Sequence, residues 1–422
     1  MRHLVFLALL VLAYFTANYM YAAVVKPMWR EGVIPGREFE YEAIAGLYLV
    51  TIPSIVAIAL SVPMGVVADK VGKVKTILFS GLLMGVGLLM VGASTSFLLL
   101  SVAFTLFAVG MQGVYPALMG SIADTVPVSK RGLGYAAYYA STVVGYPLGL
   151  VTGLLLSWRL GYTFLGALVI ALTLAAVAAL SRAYRGLRVE AGGVSEYRFS
   201  GVLKSITSPA VVALLVLIFF WGMPWGAITR YAVNFLEDAW GVSREVATAI
   251  LTLASVSIIV GHVAGGVLAD RRVRAGDVLG RVKVSLLGVA VGIAVMLSFV
   301  LYPYPYGDES LASLLPPAAL ALLGMMFTTL SYPNISSVLS EVVRREYRAT
   351  VFAVFNILNS LGWGVGPTLY GALKAFLVES LGYSIPWASK VSIATVVLLW
   401  LVPLAVWVLM LGLYPKSRVE EG

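Results

Sequence analysis

Apolar runs recur along the whole chain, and each is long enough to cross a bilayer as a helix of about 20 residues. The polar segments between most of them are short, so consecutive helices are predicted to be antiparallel neighbours. The pattern predicts an all-α polytopic membrane protein with twelve transmembrane helices. The predicted spans are 4–28, 42–67, 76–95, 97–122, 132–157, 160–181, 209–235, 245–269, 282–302, 314–339, 350–375 and 388–413.

The longest polar interval is 182–208, which carries five basic residues around Gly192 and Gly193. We predict that it is a cytoplasmic linker. It divides the chain into an N-terminal six-helix bundle, 1–181, and a C-terminal six-helix bundle, 209–422. Both termini are then expected in the cytoplasm.

Composition agrees with a membrane protein. The chain has 422 residues, 60% hydrophobic and 12% charged, which is too little charge to cover a soluble globular surface. The formal charge of +9 is concentrated in alternate loops, as the positive-inside rule requires, and therefore indicates sidedness rather than nucleic-acid binding. The chain has no cysteine, and that lack, with no carboxamide in the loops, suggests a thermophilic source.

Motifs for enzymatic chemistry are absent from the sequence. No Gly-x-x-x-x-Gly-Lys-Ser/Thr loop offers an ATP site, and the two histidines are too few for a metal cluster. We therefore expect no enzyme activity, no cofactor and no metal, and we expect any transport to be driven by gradients.

A short basic turn, Gly65-Val66-Val67-Ala68-Asp69-Lys70-Val71-Gly72-Lys73-Val74-Lys75, separates the second and third spans. Gly72 is expected to adopt a positive φ there. A degenerate copy, Gly266-Val267-Leu268-Ala269-Asp270-Arg271-Arg272, follows the eighth span. The pair resembles the loop between helices 2 and 3 of the major facilitator superfamily of secondary transporters.

The two halves also repeat each other at one offset of 217 residues, as in 333 minus 116. The matched pairs are Tyr115 with Tyr332, Pro116 with Pro333, Asp124 with Glu341, Arg131 with Arg348, Gly145 with Gly362 and Gly149 with Gly366. The resemblance implies two pseudo-symmetric six-helix bundles that rock about a central site to give alternating access.

Charged residues near the predicted cytoplasmic helix ends are candidates for gating. We expect the acids to pair with cations between the bundles, or to cap helix N-termini, when the cytoplasmic side is closed. The candidates are Asp69, Lys70, Lys73, Asp124, Arg131, Asp270, Arg271, Glu341 and Arg348.

All carboxamide side chains lie inside predicted helices, where a polar group is costly unless it has a partner or faces a cavity. They are expected either to bond between helices or to line a substrate cavity. Aromatic residues beside the helix breaks are core or cavity residues on the same reasoning. The candidates for cavity lining are Asn18, Gln112, Tyr115, Tyr332, Asn356, Asn359 and Trp363.

His262 lies near the middle of the eighth span, whereas no acid lies in the middle of any span. In transporters resembling the monocarboxylate group an arginine commonly fills this place. A histidine there is a candidate proton-coupling group, because it titrates near neutral pH. The alternative is a neutral histidine bonded to a neighbouring helix.

Lys26 and Arg230 occupy similar places in the first and seventh spans, which line the cavity in this superfamily. Lys26-Pro27 is expected to end helix 1, much as in monocarboxylate-type members. The two cations are candidates to clamp one carboxylate near the outer mouth. The alternative is that both side chains snorkel toward headgroups, or toward Glu237 and Asp238.

The sequence therefore favours a proton-coupled symporter of a small organic anion such as a monocarboxylate. The alternative is an exporter of amphipathic, drug-like or lipid-like compounds, because the spacing in Tyr138–Gly153 resembles Spinster-like lipid transporters. A membrane receptor is a third class, which the chain gives little reason to prefer. We expect a monomer in the plasma membrane whose partners are substrate, protons and lipid, with no nucleic acid.

Overall fold

The computed structural model describes residues 2–126, 131–185, 199–344 and 347–419. Within these ranges it describes all side chains except those at 2, 62, 65–69, 131–136, 199–202 and 349. Two compact units result, one formed by 1–192 with 229–234 and the other by 193–228 with 235–422.

Helices make up the first unit. The helical stretch 41–71 contains a π-helical segment, Gly46–Thr51, which joins its first part to its second. The helices are α1 Arg2–Arg30, α2 Tyr41–Ala45, α3 Ile52–Val71, α4 Lys73–Ala93, α5 Phe97–Thr125, α6 Arg131–Leu155 and α7 Trp158–Arg185.

The second unit is also helical where the structure describes it. Its helix α9 contributes Thr229–Asn234 to the first unit and the rest of its length to the second. The helices are α8 Phe199–Ile206, α9 Pro209–Trp240, α10 Arg244–Arg274, α11 Gly280–Val300, α12 Leu311–Thr329, α13 Tyr332–Val342, α14 Arg348–Glu379, α15 Ile385–Leu398 and α16 Leu401–Ser417.

Within the described residues, ten helical stretches are long and apolar enough to cross a membrane. Helices α6 and α14 are continuous but are not among these ten. The first covers all but the last two residues of the fifth predicted span, and the second contains the eleventh. Large apolar side chains remain exposed on several of the helices, including Leu98, Leu155 and Leu253. Such surfaces suit a hydrocarbon environment rather than water.

Two predicted helix ends were wrong. Helix α1 does not end at Lys26-Pro27 but continues to Arg30 with Pro27 inside it, since membrane helices tolerate the lost backbone bond when neighbours satisfy the freed carbonyl. The basic turn is also tighter than expected, because only Gly72 separates α3 from α4. Its φ of 101° confirms the predicted positive value.

Two predicted spans are broken helices. The span 314–339 is interrupted at Leu330 and Ser331, and the span 388–413 at Leu399 and Trp400. In the first case Pro333 stands in the first turn of the new helix. Proline lacks a backbone N–H and disfavours helical backbone in the residue before it, so a helix restarts at such a position more easily than it continues.

Small residues set the closest helix contacts in the first unit. A Cβ on Gly149 of α6 would lie 2.7 Å from the backbone N of Met20 and 2.7 Å from the carbonyl oxygen of Thr16, both on α1. The missing side chain therefore lets the two helices approach to backbone contact.

The second unit contains a tryptophan cluster made of Trp221, Trp225 and Trp400. The ring centroids of Trp221 and Trp225 lie 5.9 Å and 5.8 Å from that of Trp400. The indole N–H of Trp400 donates to the carbonyl oxygen of Trp221 at 3.2 Å. The cluster fixes the broken helix α15–α16 against α9 with buried aromatic area.

Candidate functional site

Arg230 is the central charged group of the site in the first unit. Its Nη2 donates to the side-chain oxygen of Asn18 at 2.7 Å, and its Nη1 donates to the backbone oxygen of the same residue. The guanidinium carbon lies 5.3 Å from the ring centroid of Tyr21. The arginine is only partly buried, and its planar fork is fixed on α1 by these contacts.

Aromatic contacts link Tyr19 and Tyr21 of α1 to other helices. The ring of Tyr19 meets that of Tyr146 edge-on at 5.0 Å. The ring centroid of Phe104 lies 5.9 Å from that of Tyr21 and 5.8 Å from that of Tyr162.

Two of these tyrosines have hydroxyl groups that are left without hydrogen bonds. The hydroxyl oxygens of Tyr146 and Tyr162 are buried and have no partner among the described residues. A buried hydroxyl normally has a partner, since leaving one unpaired costs about 1–3 kcal/mol. Neither tyrosine was predicted as a site residue, because a membrane aromatic by itself reads as core or interface.

Glu42 is the acid that the sequence analysis missed. It begins the second predicted span, and its side chain is fully buried. The side-chain amide of Asn234 donates to its carboxylate at 3.1 Å and to the hydroxyl of Tyr41 at 2.9 Å. The hydroxyl of Tyr231 donates to the Glu42 backbone oxygen at 2.8 Å and meets that of Tyr21 at 3.1 Å. A polar network thus joins Glu42 to the ring beneath Arg230.

Lys26 is buried on α1 with only 4% of its surface exposed. Arg230 bonds to Asn18, whereas Asp238 accepts a hydrogen bond from Lys374 at 2.6 Å. These observations disfavour the expectation that both cations snorkel. The Lys374–Asp238 pair is itself deeply buried, with side-chain exposures of 0% and 3%.

The remaining cavity candidates lie in different environments. The ring of Tyr115 packs 5.6 Å from that of Tyr138, and Gln112 is half-buried. Asn356 is exposed, whereas the side-chain oxygen of Asn359 is buried and accepts no hydrogen bond from the described residues. The backbone of Trp363 lies against Gly222 and Gly226 of α9.

His262 lies in the second unit on α10. Its Nδ1 is 2.9 Å from the carbonyl oxygen of Ile258, so it bonds to its own helix rather than to a neighbouring one. Its ring meets that of Tyr332 edge-on at 5.3 Å. The sequence candidates His262 and Tyr332 are therefore neighbours.

The gating candidates of the first unit form a small network. Lys73 donates to the Asp124 carboxylate at 2.6 Å, and the hydroxyl of Tyr184 donates to it at 2.8 Å. Lys70 is exposed. The side chains of Asp69 and Arg131 lie outside the described residues.

The second unit contains a similar network. Arg281 pairs with Asp270 at 2.9 Å and with Glu341 at 3.1 Å, and the hydroxyl of Tyr414 donates to Glu341. Arg281, Tyr184 and Tyr414 were not predicted, because no motif marks them.

Two further gating candidates and one loop acid complete this region. Arg348 donates from Nε to the Val343 carbonyl oxygen at 3.1 Å, and Arg271 is exposed. In the adjacent loop, the hydrogen bond from the Lys283 ammonium lowers the pKa of Asp277. Among the described residues no group of three or more His, Cys, Asp or Glu side chains is placed to hold a metal ion.

Comparison with known families decides the class. The model of a family described as the Major Facilitator Superfamily matches residues 6–367. The chain belongs to the Major Facilitator Superfamily.

Relatives of this Major Facilitator Superfamily protein include the probable sulfoacetate transporter SauU of Cupriavidus necator (strain H16), which is 24% identical over 76% of each chain. Among solved structures, an inward-facing bacterial homologue of the human lysosomal transporter Spinster has a TM-score of 0.80 at 18% identity, covering 100% of this chain and 98% of that one. The peptide transporter POT in complex with sulfate has a TM-score of 0.70 at 15% identity, covering 99% and 96%. At these identities the structures establish the shared fold alone.

Proposed function

We propose that this protein is a secondary transporter of a small organic anion. It has twelve transmembrane helices and works by alternating access, in which the central site opens to one side of the membrane at a time. The observation that carries the proposal is Arg230, a half-buried guanidinium held on Asn18 over the ring of Tyr21. A cation is costly inside a membrane protein unless it serves a partner or a substrate. The name of the SauU relative, which specifies an organic anion, supports the same class.

The bundle architecture is also a proposal, with bundles 1–181 and 209–422 joined by 182–208. Supporting it, Asp124 and its repeat partner Glu341 each accept a hydrogen bond from a tyrosine and from a basic residue. Lys73 and Arg281 supply those basic groups at the starts of α4 and α11. The same device at matched positions is what a six-helix repeat predicts.

The substrate is proposed to bind Arg230 through a carboxylate or a sulfonate. A guanidinium offers five N–H donors in a planar fork, and two of them are engaged by Asn18. The others are available for a bidentate contact with an oxyanion. Lys26 supplies a second buried positive charge on α1. It lies eight residues after Asn18, which is about 12 Å along the helix axis.

Proton coupling is proposed to use His262. Its place on α10 beside Tyr332 supports this role, because histidine is the side chain whose ordinary pKa lies near neutral pH, and this one lies inside a predicted span. The cytoplasmic networks of Asp124 and Glu341 are proposed to bias the equilibrium between states, together with the other gating candidates.

Uptake into proteoliposomes, with and without an inward proton gradient, tests the proposal. Arg230→Ala is expected to raise the apparent KM for a transported anion at least tenfold, or about 1.4 kcal/mol, whereas Arg230→Lys retains part of the affinity. His262→Gln is expected to abolish the response to the proton gradient.

Two outcomes would contradict parts of this proposal. Transport of a neutral amphiphile by both the wild type and Lys26→Ala/Arg230→Ala, with no anion uptake by either, would identify an exporter of amphipathic compounds. Unchanged gradient-driven uptake by His262→Gln would assign the proton to another group.

A further inference from the structure

We propose that Tyr146 and Tyr162 complete the Arg230 site as hydroxyl donors to a three-oxygen oxyanion, so that the substrate class is a sulfonate rather than a simple carboxylate. The proposal rests on the proposed function of anion transport and deepens it. It depends on two observations: two buried hydroxyl groups without hydrogen bonds, and their arrangement near one cation.

The first observation is the state of the two hydroxyl groups. Tyr146 is 3% exposed and Tyr162 is fully buried, and neither hydroxyl oxygen has a hydrogen-bond partner among the residues that the structure describes. Tyr21 and Tyr231, in the same cluster, bond to each other at 3.1 Å. The missing bonds are therefore a property of two particular tyrosines and not of every tyrosine near Arg230.

The second observation is their arrangement. Tyr146 belongs to α6, and its ring meets that of Tyr19, the neighbour of Asn18 on α1. Tyr162 belongs to α7, and its ring meets that of Phe104, which in turn meets the ring of Tyr21 beneath Arg230. Two unpaired donors from different helices thus share the surroundings of one guanidinium.

The chemistry of the ligand follows from this donor set. The planar fork of an arginine satisfies the two oxygens of a carboxylate in its own plane. A sulfonate has a third oxygen directed out of that plane, and this oxygen needs donors that the guanidinium does not provide. Hydroxyl groups on separate helices provide them, and binding pairs the polar groups that are otherwise buried without a bond.

The test uses sulfoacetate and malonate, which differ only in that one has a sulfonate where the other has a second carboxylate. Affinity is measured by uptake into proteoliposomes and by ligand-induced thermal stabilisation of the purified protein. The wild type is expected to prefer sulfoacetate by at least tenfold. Tyr146→Phe and Tyr162→Phe are each expected to weaken sulfoacetate binding about tenfold and malonate binding by less than threefold, because each loses one hydrogen bond to a charged group.

The variants also have a built-in control for folding. Removing an unpaired hydroxyl breaks no bond in the ligand-free protein, so both variants are expected to keep the wild-type melting temperature. Tyr21→Phe is the matched control, since it removes a hydroxyl that is already bonded to Tyr231 and is expected to change both affinities equally.

Each alternative outcome is informative. Equal losses for both anions, or none, in Tyr146→Phe and Tyr162→Phe would overturn the inference while leaving anion transport intact. A wild type that takes up other organic anions but neither dianion would do the same. A wild type that takes up no anion at all would reject the proposed function itself.

Discussion

At the scale of single residues, the buried charges of this chain are held by specific partners. Lys374 and Asp238 are 2.6 Å apart with almost no exposed side-chain surface, and they join α14 to α9 inside the second unit. Such a pair adds little net stability relative to apolar residues, but one charge left alone is strongly unfavourable.

Lys374→Met is therefore expected to lower the free energy of unfolding by about 3–5 kcal/mol, because it leaves the Asp238 carboxylate buried without its cation. Adding Asp238→Leu is expected to recover most of the loss. Chemical denaturation of the purified proteins in detergent, monitored by circular dichroism, measures the free energy of unfolding of the single and the double variant. A single variant as stable as the wild type would contradict the pairing.

At the scale of elements, backbone contact between helices depends on particular glycines. Gly149 seats α6 directly on Thr16 and Met20 of α1, and its repeat partner Gly366 lies in the same way against Met223 of α9. The repeat noticed in the sequence is thus also a repeat of close helix contacts.

Gly149→Ala is expected to destabilise the protein by about 1–3 kcal/mol, since the added methyl group must push the two helices apart. Gly412→Ala is the matched control, because nothing lies within 4 Å of its Cβ position in α16. Melting temperatures of the two variants in one detergent make the comparison. Equal melting temperatures would show that α1 and α6 have room to separate.

The span pattern predicted most helices because hydrophobicity is local along the chain. The breaks were harder to predict: Pro333 restarts a helix, yet Pro27 and Pro116 lie inside continuous ones. The local signal, a proline within an apolar run, is the same in each case. Tertiary packing decides whether the lost backbone hydrogen bond is tolerated.

The candidate site was predicted only in part, for a related reason. Asn18 and Arg230 were both candidates, but their contact joins residues 212 apart in sequence, and only the fold brings them together. Glu42 was missed because it stands at the edge of a span, where an acid usually faces water.

At the scale of the whole molecule, the two charge networks lie in separate units but share one design. Lys73 and Asp124 retain side-chain exposures of 26% and 29%, so solvent screening limits each pair to about 0–1 kcal/mol. Only their joint action can shift a conformational equilibrium appreciably.

Asp124→Asn combined with Glu341→Gln is therefore expected to favour the inward-open state severalfold, and each single change less. Because the chain has no cysteine, a single cysteine replacing the exposed Asn356 is a clean reporter. Its rate of alkylation from the cytoplasmic side is expected to rise in the double variant. An unchanged rate would remove both acids from gating.

The tryptophan cluster of the second unit gives the protein an optical property of its own. Trp221 and Trp225 both lie within 6 Å of Trp400 between ring centroids, close enough for their excited states to couple. Coupled indoles produce a paired positive and negative signal in the far-ultraviolet circular dichroism spectrum, because their strongest transition lies there, and this signal vanishes when the rings separate. The integrity of the broken helix α15–α16 against α9 is thus readable in solution without any label.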